Sequence, residues 1–206
     1  VLKAVTRGED CIVIAPVTGA VKKLPPKEIF EENVLELQRG KDIDIDDIKV
    51  RLSFMGYERV PMIESRGEYS IRGGILDIFT PDSDMPYRVE LFDTEIDSIR
   101  TFEIDTQRSS EELKDITICQ CSQLVKDSEL FAKAKDKIND AYIKHIKKIE
   151  KKEGNSERVH ELKVRRGQLI EYIDNMMNLQ YMEKFINYFY DETMYIWDYM
   201  QAPSIF

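Results

Sequence analysis

Hydrophobic and polar positions change their period several times along the chain. "CIVIAP", residues 11–16, is a short continuous apolar run closed by proline, the pattern of a buried strand in an α/β sheet. Pro25 and Pro26 can start a helix at Lys27. From about Asp46, the residues Ile48, Leu52 and Met55 recur at helical spacing, and Gly56 can stop that helix. "YERVPMI", "EYSIRGGILDIF", "YRVELF" and "SIRTFEID" follow as strand-like segments, linked by the turn-rich "TPDSDMP" and "DTE". Residues 34–119 are therefore expected to form a small α+β unit with an antiparallel sheet.

Two positions in this unit stand out. Gly73 and Gly74 interrupt an otherwise good strand, and glycine inside a strand usually marks a bulge. A bulge there would re-aim Arg72. In "YRVELF", alternation puts Tyr87, Val89 and Leu91 on one face, read as core, and Arg88, Glu90 and Phe92 on the other. A phenylalanine on a face with arginines has the composition of an interface hot spot. A cross-strand pair of Arg72 or Arg88 with Glu90 accounts for the same residues more plainly.

After residue 119 the pattern turns helical. "SELFAKAKDKINDAYIKHIKKIEKK" predicts a long helix ended by Gly154-Asn155. A second begins after Asn155 or Ser156, with Ser156 placed to cap it, and runs to about Asn175 on a stripe of Leu162, Leu169, Ile170 and Ile173. The aromatic run "YMEKFINYFYDETMYIWDYM" reads as core rather than a base-stacking platform, because nothing basic alternates with it. "APSIF" reads as the start of another strand. A chain that opens on a core-type strand reads as a piece of something larger.

Charge sharpens this division. The 206 residues carry a formal net charge of −9. Lys+Arg against Asp+Glu number five against five in residues 1–33, eleven against twenty in 34–119, and fourteen against fourteen in 120–206. The middle block is thus poorly suited to gripping a phosphate backbone, and a protein partner fits it better. Lys144, Lys147, Lys148, Lys151 and Lys152 crowd the end of the long helix. They read either as a weak DNA contact or as a solvated face that suits the helix dipole. The interleaved acids and the balanced charge of their block favour the second reading.

Candidate chemistry is sparse. There is no GxxxxGK[ST], no HExxH and no GxSxG, so the residues point to a binding module without a cofactor rather than an enzyme. Asp44, Asp46 and Asp47 read as loop charges or helix-start acids, and Cys119-x-Cys121 as small residues on one strand face, so no metal site is expected. No apolar run is long enough to span a bilayer, and the first residues do not resemble a signal peptide. Three cysteines cannot form a full set of disulfides. Together these features predict a cytoplasmic protein.

"GEYSIRGGILDIFTPDSDMPYRVELFDTEIDSIRTFEIDTQRS", residues 67–109, closely resembles the bacterial transcription-repair coupling factor (Mfd) family over a long, nearly ungapped stretch. The "IAP" strand end, "GYERV" and "FYDET" agree with it. The resemblance implies a fragment of that family's N-terminal region, which is homologous to the excinuclease subunit UvrB. Its fold is an α/β domain with a smaller inserted α+β domain. On this chain, residues 1–33 and 120–206 would be the two halves of the α/β domain, the latter mainly helical, and 34–119 the insertion. The insertion would bind UvrA, the damage-recognition subunit of nucleotide excision repair, through Arg72, Arg88 and Phe92. The resemblance also implies an intramolecular contact with the parent's C-terminal domain. The parent would be an ATP-dependent DNA translocase whose other domains handle ATP, magnesium, DNA and the stalled RNA polymerase. A fragment of UvrB itself is the rival reading, with "ELFDTEIDSIRTFEIDTQRS" favouring the coupling factor.

Overall fold

Ile12 and Ile14 stand in solvent, 92% and 93% exposed, so "CIVIAP" is not a core strand. The structure, a computed structural model, describes residues 1–6, 8, 11–154 and 156–200. A strand of a parallel sheet needs neighbours at its edges and layers on its faces. Among the described residues nothing pairs with this segment, and only Val13 packs against a buried cluster. Around it lie three short helices, α1 (Leu2–Thr6), α2 (Val17–Ala20) and α3 (Lys27–Glu32). Pro26 is the N-cap of α3, as the proline pair predicts. The expected strand in "APSIF" lies outside the described residues.

The chain then enters a sheet unit through β1 (Val34–Gln38). In α4 (Ile45–Phe54) the Asp44 side chain accepts from the backbone N–H groups of Asp46 and Asp47 at 2.8 and 3.4 Å. That carboxylate replaces the partners the first turn lacks, and Asp46 and Asp47 lie at the positive end of the helix. Gly56, at φ +90°, ends it. Of "YERVPMI" only β2 (Glu58–Arg59) is strand. It pairs parallel with β3 (Glu68–Arg72), so the sheet is mixed rather than purely antiparallel. Pro61 has no N–H to extend that ladder, and Ile63 turns into a small cluster with Phe79 and Phe102.

Gly73 and Gly74 do not bulge one strand; they turn the chain between two. β3 pairs antiparallel with β4 (Ile75–Ile78), Arg72 opposite Ile75. A two-residue link between paired strands needs a left-handed backbone, and Gly73 supplies it at φ +60°. The hairpin replaces the expected bulge because it pairs the N–H and C=O groups on both sides of the glycines. Gly74 also lies tight against the next strand. A Cβ there would sit 2.9 Å from the Leu91 carbonyl oxygen, and the Leu91 N–H donates to the Gly74 carbonyl at 2.7 Å.

β5 (Tyr87–Phe92), β6 (Glu95–Phe102) and β7 (Ser109–Leu113) complete a six-stranded sheet of order β2-β3-β4-β5-β6-β7. β8 (Asp115–Cys119) returns to pair antiparallel with β1, Val34 opposite Cys119. One core lies between this pair, α4 and one sheet face, and includes Leu37, Leu52, Leu76, Val89 and Ile99. Tyr87 and Leu91 pack against it, as the alternation predicts.

The second unit is helical. α5 (Ser128–Glu153), capped by the Asp127 side chain on the Leu130 N–H at 2.7 Å, packs against α6 (Glu157–Asp174). Ser156 holds the N-cap position of α6 but its hydroxyl makes no cap bond, pointing to Glu153 instead. Asn155 lies outside the described residues. α7 (Leu179–Met182) and α8 (Ile186–Phe189) close this core, in which Phe131 and Phe189 meet edge to face. Within the aromatic run Met182, Ile186, Phe189, Tyr190 and Tyr199 are buried, as a core reading predicts, while Tyr181 and Tyr195 are half-buried, each with a lysine ammonium over its ring. Among the described residues no helix is long and apolar enough to cross a membrane. Cys119 ends β8, and Cys121 lies beyond the strand, where burial pushes its thiol up to about 12.

Two measurements probe this packing. Gly74→Ala forces the Leu91 backbone to move and should destabilise the protein by about 1–3 kcal/mol in urea unfolding; an unchanged midpoint would show that the turn does not press on β5. At pH 8 iodoacetamide should alkylate the exposed Cys11 readily. Cys121, with roughly one thiolate in ten thousand at that pH, should stay unlabelled until unfolding, as read by peptide mass spectrometry.

Candidate partner-binding face

The sheet face turned away from the core carries a row of polar residues in register across the strands. Ser70, Asp77, Arg88, Arg100 and Glu112 stand opposite one another on β3, β4, β5, β6 and β7. Asp77 is the acceptor on which the arginines of this face converge, with 3% of its side chain exposed. The hairpin puts it within reach of two arginines. Arg88 donates from Nε to Oδ1 at 2.7 Å and from Nη2 to Oδ2 at 2.9 Å. Arg72 donates from Nη2 to Oδ2 at 2.8 Å. The paired fork of Arg88 is a geometry that lysine cannot reproduce.

Arg88 is held on its other sides as well. Its Nη2 also donates to the Gln107 Oε1 at 2.9 Å, and its guanidinium carbon lies 4.2 Å from the ring centre of buried Phe102. Gln107 itself takes φ +57° and donates from Nε2 to the Ile104 carbonyl at 2.8 Å, which aims its amide. Hydrogen bonding to Asp77 raises the Arg88 pKa above the ordinary arginine value, against the opposing effect of burial.

These contacts revise the expectation of one uniformly exposed patch. The Arg88 side chain is only 14% exposed, and its Nε and Nη2 donors are committed. Arg72 keeps 46% of its side chain in solvent. Phe92 is 79% exposed at the end of β5, beside the β5–β6 turn where Asp93 takes φ +58°. The structure thus joins Arg72 to Arg88 through Asp77 and leaves Phe92 farther along the same strand face. Glu90 pairs with neither arginine; it accepts from the Ser98 hydroxyl at 2.7 Å and lies 4.0 Å from Arg100. Asp77 and Gln107 were not evident from the sequence. An aspartate inside the apolar run "GGILDIF" was the available signal, but its partner follows only from the hairpin register. The five lysines are not part of this face: they lie on α5, all exposed. Among the described residues no group of three or more His, Cys, Asp or Glu side chains is placed to hold a metal ion.

The division of roles can be tested on stability. Removing Arg88 leaves a buried carboxylate with one arginine, and Arg88→Ala should cost about 3 kcal/mol or more. Arg72→Ala removes a half-exposed arm and should cost about 1 kcal/mol or less. Equal losses in urea unfolding of the two variants would contradict this arrangement.

Residues 35–123, which contain the whole of this face, match the UvrB interaction domain family. The chain is 38% identical to the transcription-repair-coupling factor of Bacillus subtilis (strain 168), over 97% of this chain and 17% of that protein. It is 34% identical to that of Staphylococcus aureus (strain MRSA252) over 99% of this chain, and 32% identical to that of Staphylococcus epidermidis (strain ATCC 35984 and synonyms) over the same share. In each case it spans 17% of the relative's length. These relatives favour the coupling factor over a fragment of UvrB. The chain belongs with the transcription-repair-coupling factors, as the homologue of one segment of them that contains a UvrB interaction domain.

Proposed function

We propose that this chain is the part of a transcription-repair coupling factor that recruits UvrA to RNA polymerase stalled at DNA damage. The observation that carries this reading is Phe92, a large apolar side chain 79% exposed at the end of a charged sheet face, inside the residues that match a UvrB interaction domain. In this reading Phe92 is the apolar anchor and Arg72 the accessible donor. Arg88 makes the face rigid, so little side-chain freedom is lost on binding. The excess acid of residues 34–119 adds charge complementarity to the choice of partner.

The same proposal covers the architecture. Residues 34–119 are an insertion in a UvrB-like α/β domain made of residues 1–33 and 120–206. Support comes from the neighbouring entry and exit, Val34 opposite Cys119. Support also comes from contacts between residues on either side of the insertion. Leu24 and Met194 exchange backbone hydrogen bonds at 2.8 and 2.9 Å, and the Tyr199 hydroxyl donates to the Pro25 carbonyl at 2.6 Å. The chain binds rather than catalyses. ATP hydrolysis with magnesium, translocation on DNA and polymerase contact are assigned to other domains of a cytoplasmic parent. Its C-terminal domain masks the UvrA face until polymerase engages.

Binding of a purified bacterial UvrA, read by calorimetry beside urea unfolding, tests the first claim. Phe92→Ala should weaken binding by about 2 kcal/mol or more while stability stays within about 0.5 kcal/mol. Arg72→Ala should weaken binding less than Phe92→Ala does. Unchanged affinity in the folded Phe92→Ala variant would remove this face from the UvrA contact.

A further inference from the structure

We propose that the outer face of the second half of α5 binds the phosphate backbone of a nucleic-acid duplex. α5 buries Phe131, Ala134, Ile138, Ile146 and Ile149. At helical spacing Lys144, Lys147, Lys148, Lys151 and Lys152 fall on the opposite side, and all five are exposed. The acids interleaved with them are used elsewhere. Glu150 pairs with Lys163 of α6 at 2.7 Å, and Glu153 with Arg158 at 3.4 Å. Among the described residues none of the five lysines has an ion-pair partner. Asp140, exposed one turn before Lys144, marks where the basic stripe begins.

The balanced charge of residues 120–206 therefore hides a one-sided arrangement. The helix dipole does not account for it, because that field fades within the last turn and reaches Lys151 and Lys152 but not Lys144, Lys147 or Lys148. The stripe runs about 12 Å along the helix axis, a length over which a duplex presents roughly seven phosphates. Lysine heads are compact point charges that suit phosphate oxygens and read no base sequence. The packing of α5 against α6 and α8 holds the stripe as a fixed platform. This surface is separate from the sheet face that carries Phe92.

A labelled 20-base-pair duplex titrated with the whole chain, followed by fluorescence anisotropy, tests the proposal. At 50 mM KCl binding should fall in the micromolar range, with log K falling against log salt with a slope of about −3 to −4. The double variant Lys148→Glu/Lys151→Glu should bind about tenfold more weakly or worse. Lys49→Glu/Lys133→Glu, which changes net charge equally at other sites, should bind nearly as the wild type does. Thermal midpoints establish that all variants are folded. A slope shallower than about −1, or equal weakening by the two double variants, overturns the proposal. So does polyglutamate that competes as strongly as unlabelled duplex, which would assign the stripe to an acidic protein.

Discussion

The Asp77 carboxylate sits almost out of solvent on the polar face of the sheet, and the face is organised around that fact. A buried carboxylate is tolerated only where donors replace the water it has lost. Here three N–H groups from Arg72 and Arg88 do so. They tie together the β3–β4 hairpin and β5, and Gln107 extends the tie to the segment after β6. The consequence is a division of labour. Arg88 is a fixed internal support, Arg72 is half free, and Phe92 is left exposed beyond the network. Rigidity and accessibility, both needed for a recognition surface, are supplied by different residues.

The sheet unit is fastened to the rest of the chain at its narrow base. The β1–β8 ladder brings the two crossings side by side. The end of α4 then engages the segment that leads to the helices. The Cys121 N–H donates to the Met55 carbonyl at 3.1 Å and the Lys126 N–H to the Phe54 carbonyl at 3.0 Å. The hydroxyl of Tyr57, whose ring is buried in the core, donates to the Cys119 carbonyl at 2.6 Å. Polar backbone groups at this junction are thus paired across the two units, which is what allows a buried connection between them.

Charge shows most clearly how folding reorganises a composition. In residues 120–206 acids and bases balance, and a tally along the chain finds nothing to attract a polyanion. Packing α6 against α5 draws Glu150 and Glu153 toward Lys163 and Arg158. Lys144, Lys147, Lys148, Lys151 and Lys152 are left on the far side of α5, without counter-charges among the described residues. Electrostatic attraction depends on where charges stand in space, within a screening length of about 8–10 Å, and not on their order in the chain.

What the sequence determined by itself was periodicity, and with it the elements and their faces. The Pro25-Pro26 helix start, the acids at the start of α4, the apolar stripes of α4, α5 and α6, and the inward Val89 and outward Phe92 were all legible, because each depends on residues within a few positions of one another. Tertiary structure decided which residues stand opposite which. The hairpin at Gly73-Gly74, and with it Asp77 rather than Glu90 as the acid between the arginines, depends on strand register. The exposure of "CIVIAP" and the parallel pairing of β2 depend on whether a neighbouring strand is present to complete a ladder. A local pattern reports the face a residue occupies, whereas the partner that fills that face comes from a distant part of the chain.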